Sequence, residues 1–216
     1  MRKPQSEIEA SYDRVAEHYA DEFFGELEKK PFDREVLDQF AKSVSEGGGR
    51  VCEIGCGPGH IARYLQDRGV SMCGIDLSEE MIRCARALNP DISFERGDML
   101  ALDIPEAQLA GIVCFYAIIH LKREDAARAL KEMHRTLESG GKLLISFHGG
   151  EGELHRDDWY DKPVSIDITL FEKDEMAGYL EAAGFEVERI VEREPYDFEY
   201  PTRRLYAFGR KLSEAE

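Results

Sequence analysis

The sequence predicts an α/β protein, a three-layer sandwich with helices over both faces of a mostly parallel sheet, and three stretches carry that prediction. Val51-Cys52-Glu53-Ile54 is a short apolar run that enters a glycine-rich turn, Gly55-Cys56-Gly57-Pro58-Gly59, and then a helical pattern with Ile61, Ala62 and Leu65 inward. Gly69 to Ile75 is a second apolar run, ending on Asp76, so a helix joins two strands as in a parallel crossover. Ile112 to Ile119 is apolar throughout, which a strand sustains only when both of its faces are covered.

The glycine turn is a binding feature as well as a bend. Glycines at alternate positions let the backbone turn sharply and approach a ligand closely, and the N–H groups that open the following helix point back at the loop. The spacing is Gly-x-Gly-x-Gly, whereas a dinucleotide fingerprint would need glycine at position 60, where His60 stands. Asp76, at the end of the second strand, is placed to accept both hydroxyls of a ribose. A third strand, Ile92 to Arg96, then runs into Gly97-Asp98-Met99.

On these residues the chain resembles the S-adenosylmethionine-dependent methyltransferases of class I, the Rossmann-like type, and within them the small-molecule enzymes. Glu53, Gly55, Cys56, Gly57, Pro58 and Gly59 match the glycine motif, Asp76 the ribose acid and Asp98 the adenine contact. The resemblance implies a Rossmann-like sheet of seven strands in the order 3-2-1-4-5-7-6, mostly parallel with the last strand antiparallel. It implies S-adenosylmethionine as cofactor and S-adenosylhomocysteine as product. Leu77 and Met99 would flank the adenine, although as core residues they would look the same; Met81, on the next helix, joins the cofactor set. Phe115 and Tyr116, at the far end of the central strand, would border the methionine half. The family usually carries an acidic residue just before that strand, and here the matching position is Ala110.

Along the chain, Ser6 and Glu9 have capping-box spacing, and Ile8, Tyr12, Val15, Tyr19 and Phe23 form a helical stripe. Either this stripe only packs on the core, or, as the resemblance implies for Tyr12-Asp13-Arg14-Val15-Ala16-Glu17-His18-Tyr19, the helix closes over the cofactor with Tyr12 and Tyr19. Pro31 suits the first turn of a second helix that ends before Gly47-Gly48-Gly49. Ser78 is a candidate N-cap, and Asn89-Pro90 stops the helix it starts. A helix over 123–138 is followed by a turn at Ser139-Gly140-Gly141 and a strand over 142–147. A last helix begins near Glu172, capped by Thr169, and strands over 185–191 and 204–208 close the sheet. One domain is expected: a helical cap at 1–46, a cofactor core at 50–147, a lid loop at 148–170 and a closing segment at 171–216.

The lid loop is long for a plain connection, and such loops commonly bind ligands. It holds His155, Trp159 and Tyr160, candidate acceptor contacts, with a strand-like run from Val164 to Ile168; Trp159 could equally plug an edge. Arg203 or Arg204 could bind a carboxylate on the acceptor or merely solvate a strand edge. Methyl transfer from a sulfonium is an in-line displacement, so alignment comes first. His120 and His148 follow adjacent strands at the edge where the methyl would be presented, and either could be a general base or simply hydrogen-bond a neighbouring loop.

The chain has 44 acidic against 28 basic residues, a formal net charge of −16 that disfavours nucleic-acid partners. Five cysteines, Cys52, Cys56, Cys73, Cys84 and Cys114, lie mostly in apolar runs, as expected for packed thiols in a reduced cytoplasmic protein with neither leader nor membrane span. Cys52, Cys56 and His60 are not read as a metal site, because the glycine turn needs that space. The sequence therefore predicts a methyltransferase acting on a small-molecule acceptor, as a monomer or homodimer. A non-catalytic module that binds the cofactor or its product is the second reading, and a nicotinamide-dependent oxidoreductase the third.

Overall fold

The computed structural model describes residues 5–45 and 47–212, with side chains from Glu7 onward. The chain opens with α1 (Gln5–Phe23), a 310 turn (Glu26–Lys29) and α2 (Pro31–Ser45). An alternating core follows: β1 (Arg50–Ile54), α3 (His60–Gln66), β2 (Ser71–Asp76), α4 (Glu79–Leu88), β3 (Ser93–Arg96) and β4 (Leu109–Phe115). After a 310 turn (Ile118–His120) come α5 (Arg123–Thr136), β5 (Leu137–Gly149), β6 (Glu153–Trp159), β7 (Lys162–Thr169), α6 (Lys173–Ala182), β8 (Phe185–Arg193) and β9 (Arg203–Lys211).

Seven strands form one sheet in the order β3-β2-β1-β4-β5-β9-β8, which is the expected 3-2-1-4-5-7-6 once β6 and β7 are counted as an insertion. Strand β9 runs antiparallel to both of its neighbours, and the other pairings are parallel. The period-2 alternation of strand side chains sorts the core into two layers. Ile112, Cys114, Ile145 and Leu205 pack with α5 and α6, while Val51, Val113, Leu144 and Tyr206 pack with α2, α3 and α4. The apolar run of β4 is thus buried on both faces at the centre of the sheet.

Several boundaries differ from the sequence expectation. Helix α5 ends at Thr136, because Leu137 pairs with Leu109 and begins β5; the pairing with β4 then resumes at Lys142, past Gly140 at φ 79°. Ala110 lies inside β4 at a register shift rather than ahead of it. Ser6 lies within the first turn of α1, which starts at Gln5. Thr169 does not cap α6: its hydroxyl donates to the Leu121 carbonyl at 2.8 Å, and Glu172 is the N-cap, its N–H donating to Glu175 Oε2 at 3.4 Å.

The largest correction concerns the lid. It is a β-hairpin, not a loop: β6 pairs antiparallel with β7 as a separate two-stranded sheet, turning through Tyr160 and Asp161, both at φ 56°. Two consecutive positive φ values are the geometry of a tight hairpin turn that normally takes Asn-Gly, so the local sequence hides it.

The glycine turn shows why its sequence is fixed. A Cβ on Gly55 (φ 72°) would lie 2.2 Å from the Ala117 Cβ, and one on Gly59 (φ 78°) would lie 2.6 Å from the Phe94 ring. Gly59→Ala should therefore lower stability by at least ~2 kcal/mol, through left-handed strain and the displaced ring, as measured by urea unfolding. A change within ~0.5 kcal/mol would contradict this packing.

Candidate active site

The carboxyl ends of β1, β2 and β4, roofed by α1, enclose one cavity lined by Asp76, Leu77, Met81, Asp98 and Met99 toward one side and by Phe115, Tyr116 and His120 on others. Its position follows from the topology: strand order reverses between β1 and β4, and a crevice opens there. Asp76 organises the site. Its Oδ2 accepts the Gly57 N–H at 2.8 Å and its Oδ1 the Ser78 N–H at 2.9 Å. Burial raises its pKa, and the Ser78, Gly57 and Leu77 N–H groups oppose that rise. A carboxylate oxygen has two acceptor sites, so lone pairs remain for the two hydroxyls of a ribose. Asp98 is fixed by its own turn, Oδ1 accepting the Leu100 N–H at 2.8 Å.

The roof helix brings Ile8, Glu9, Tyr12 and Tyr19 to the cavity. Tyr12 Oη lies 2.7 Å from His120 Nε2, and His120 Nδ1 lies 3.1 Å from the Asp167 carbonyl. A carbonyl only accepts, so Nδ1 carries the proton; Nε2 then holds its lone pair toward the Tyr12 hydroxyl, which donates. Burial lowers the His120 pKa, so the ring is neutral, and burial raises that of Tyr12.

Behind the cavity wall, Tyr116 has φ 52°, and its N–H is held by Ser146. Its hydroxyl meets that of Tyr206 at 3.0 Å, and Tyr206 donates to buried Asp33 at 3.0 Å. Arg193 bridges Asp33 Oδ2 (2.8 Å) to Glu199 (2.6 and 3.0 Å), and Lys30 lies 3.3 Å from Glu199. Despite partial burial, Arg193 and the other donors hold Glu199 down to about 2.

Of the sequence-derived cofactor residues, Tyr12, Tyr19, Gly55, Gly57, Asp76, Leu77, Met81, Asp98, Met99, Phe115 and Tyr116 line the cavity, as does His120. Glu53, Cys56, Pro58 and Gly59 do not. The Glu53 carboxylate, 1 % exposed, accepts the Ala62 N–H at 2.8 Å and ties α3 to β1. Gly59 packs on Phe94, as Cys56 packs beside Gly74, and the Pro58 carbonyl accepts the buried Asn89 amide at 3.1 Å. These four shape the loop from beneath.

The acceptor candidates also lie off the cavity lining. Trp159 packs edge-on against Tyr12, Tyr19 and Phe23, bracing the roof helix from the hairpin side, and Tyr160 stacks on His18 and donates to Glu22. His155 pairs with Asp167 at 2.7 Å on the hairpin surface. Arg203 is held by Glu172 at 3.0 Å and Glu192 at 3.4 Å, and Arg204 by the carbonyls of Thr202 and Tyr200, so both are engaged by their own protein. Sequence reasoning missed Ile8, Glu9, Ile54, Ile75, Ser78, Gly97 and Leu121 as lining residues; Ile8 was visible only as part of an apolar stripe.

The cradle fits a nucleoside and argues against a dinucleotide. His60 stands at the start of α3 with Nε2 3.1 Å from Glu26 Oε1, so an acid faces the helix end where a pyrophosphate would sit.

The comparisons agree with that geometry. The methyltransferase domain family Methyltransf_25 matches residues 51–141. Over that stretch, less than half of its length, the chain is similar to the S-adenosylmethionine-dependent methyltransferases. It is 32 % identical over 142 residues to a probable S-adenosylmethionine-dependent methyltransferase of Mycolicibacterium smegmatis, covering 65 % of this chain and 53 % of that protein. It is 29 % identical over 185 residues to an uncharacterized methyltransferase of Staphylococcus carnosus, covering 84 % and 83 %. The chain thus spans about half the length of the first of these relatives and most of the second. In fold it is similar to magnesium protoporphyrin IX methyltransferase of Synechocystis PCC 6803, solved with bound S-adenosylmethionine, at TM-score 0.71 and 17 % identity over 96 % of this chain and 98 % of that one. S-Adenosylmethionine is the cofactor of the family.

Neither four-ligand nor three-ligand clusters of His, Cys, Asp or Glu suited to a metal occur among the described residues. No helix among them is long and apolar enough to cross a membrane.

His148 is half-buried with Nδ1 2.7 Å from Thr202 Oγ1, and desolvation with the Arg204 charge pushes its pKa down to about 3. The folded chain therefore binds fewer protons here than the unfolded chain at any pH between about 3 and the ordinary histidine value near 6.5. Stability from this group is full above about pH 6.5 and is lost as pH falls, by up to ~1.4 kcal/mol per unit. The stability advantage of wild type over His148→Gln should shrink between about pH 7 and pH 5 in urea unfolding, and a pH-independent difference would contradict the neutral imidazole.

Proposed function

We propose that this chain transfers a methyl group from S-adenosylmethionine to a small-molecule acceptor by in-line displacement. The observation that carries the reading is that Asp76 and His120 line one cavity, so a nucleoside seat and a proton-accepting group face the same space. When bound, the cofactor supplies an electrophilic methyl on a positively charged sulfur. The protein's own residues do the rest. Asp76 takes the ribose hydroxyls, Asp98 with Leu77 and Met99 takes the adenine, and Gly55 and Gly57 let the backbone approach. Phe115 and Tyr116 wall the methionine side, and Tyr116 keeps its strained backbone because Ser146 and the Tyr206–Asp33 pair hold both of its ends.

Proton removal falls to Tyr12 and His120 together. The Tyr12 hydroxyl donates to His120 Nε2, so an acceptor O–H gives its proton to the Tyr12 oxygen while the Tyr12 proton passes to His120 Nε2. Asp167 fixes the ring so that Nε2 is the basic nitrogen. His148 is the weaker candidate, since Arg204 and burial oppose its protonation; its role is to hold the Thr202 turn. The α1 roof over the cavity favours a small acceptor, and the acidic surface favours one that is not a polyanion.

The test is label transfer from methyl-labelled cofactor to panels of phenols, alcohols, amines and carboxylic acids. With an accepted substrate, His120→Gln should lower kcat by about 10²-fold, the usual size of a general-base contribution, and His148→Gln by less than about tenfold. Equal rates in wild type and His120→Gln would remove the base from this account. Tight product binding with no transfer to any panel would replace the enzyme by the binding-module reading.

A further inference from the structure

Hydrogen-bond polarity at the His120 side of the cavity is set by a main-chain carbonyl behind it. The Asp167 carbonyl, 3.1 Å from His120 Nδ1, can only accept, so the ring carries its proton on Nδ1 and Nε2 keeps a lone pair. Burial lowers the His120 pKa and holds the ring in this neutral form. Tyr12 Oη, 2.7 Å from Nε2, must then be the donor, and its single proton is committed to His120. Both side chains line the cavity. A molecule that meets the Tyr12 oxygen there finds lone pairs and no proton.

The charges around the cavity act in the same direction. Among the described residues, the charged side chains that line it are Glu9, Asp76 and Asp98, all acids. Three cations lie near the lining without joining it. Lys30 and Arg204 stand 6.0 and 5.9 Å from the centre of the Tyr116 ring. Lys30 is held by Glu26 at 2.7 Å and by Glu199 at 3.3 Å, and Arg204 by Glu199 at 3.7 Å. Arg156 stacks over the Trp159 ring at 4.6 Å, and at Tyr12 its charge acts less than that of Asp76. A carboxylate with its attacking oxygen at Tyr12 would set lone pairs against lone pairs and leave its charge facing acids.

We infer that the methyl acceptor is an uncharged hydroxyl compound, a phenol or an alcohol, and that the Tyr12–His120 pair selects it against carboxylates. The inference rests on the methyltransferase reading and narrows it. A hydroxyl brings both the proton that the Tyr12 oxygen lacks and the lone pair that attacks. Its new oxygen–methyl bond forms as the sulfur–methyl bond breaks, and the sulfur keeps that electron pair as a neutral thioether. The hydroxyl proton goes to the Tyr12 oxygen and the Tyr12 proton to His120 Nε2, which releases it to solvent. A carboxylate has the lone pair but brings no proton, and an ammonium brings protons but has no lone pair.

The experiment offers wild type and His120→Gln matched acceptors together with methyl-labelled cofactor: phenol, naphthol and cyclohexylmethanol, the carboxylates benzoate, naphthoate and cyclohexanecarboxylate, and benzylamine. Base treatment separates the products, since an ether keeps its label and a methyl ester releases it as methanol. Wild type should form ethers, with kcat/KM for each hydroxyl compound at least about 10²-fold above that of its carboxylate partner. His120→Gln should narrow that ratio by about tenfold or more, because a carboxamide also donates and frees the Tyr12 proton for the cavity, while a carboxylate needs no base. An equal loss on both partners is what a merely structural role would give, and it would overturn the inference. Ester or N-methyl product in excess of ether would do the same. Nitrogen NMR of the isotopically labelled chain reads the polarity without any acceptor. The imidazole signals that vanish in His120→Gln should report a protonated Nδ1 and a bare Nε2 at neutral pH, and the other tautomer or an imidazolium would overturn the selection. Calorimetric binding of S-adenosylhomocysteine with no transfer to any acceptor would instead overturn the methyltransferase reading, and this inference with it.

Discussion

The arrangement depends first on the carboxylate of Asp76. A buried carboxylate is costly unless donors surround it, and here the donors are main-chain N–H groups from two segments, Gly57 in the glycine turn and Leu77 with Ser78 at the entry to α4. That single acceptor fixes the glycine turn against the end of β2, where the Ile75 carbonyl also takes the Gly55 and Cys56 N–H groups at 2.7 and 3.0 Å. The turn can approach so closely only because Gly55 offers no Cβ to Ala117. Sheet topology, backbone freedom and a buried charge thus converge on one crevice, and the cavity opens there.

A second constraint sits behind the site. Asp33, Arg193, Glu199 and Tyr206 come from α2, β8, the β8–β9 connection and β9, and they meet under Tyr116 with almost no solvent. Breaking one partner of such a set would strand buried charge, so the set acts as a unit. Its consequence for function is positional: it locks the ring that forms the cavity wall and the end of the central strand, on which the Ile118–His120 turn follows directly. The position of His120 is therefore supported by residues that do not line the cavity.

Much of this was legible in the sequence, and the reasons are specific. The glycine spacing, Asp76 at a strand end and the unbroken apolar run of β4 are local signals, and they located the seat and the central strand. Ser78 was readable as a cap because serine before a helical stripe has one common use. The hairpin was not readable, since Tyr160-Asp161 is an unusual pair for consecutive positive φ values, although the alternation from Val164 to Ile168 hinted at its second strand. The network under Tyr116 left no signal at all: its members are 160 or more positions apart across the Asp33 contacts, and each looks like a surface charge in sequence. Cys56, Pro58 and Gly59 belong to the motif by spacing and lie off the cavity lining, because a motif's spacing does not say which of its residues face the cavity and which face Phe94.

The central claim is that the Asp76 seat takes a nucleoside carrying a methionine tail and not a dinucleotide. Parallel calorimetric titration of the wild-type chain and of Asp76→Ala with S-adenosylhomocysteine and with NADH tests it most directly. Saturable binding of S-adenosylhomocysteine to wild type, weakened by ~1.5 to 3 kcal/mol in the variant, with no heat from NADH, is the predicted result. Binding of NADH without S-adenosylhomocysteine, or equal affinity in the two chains, would contradict it.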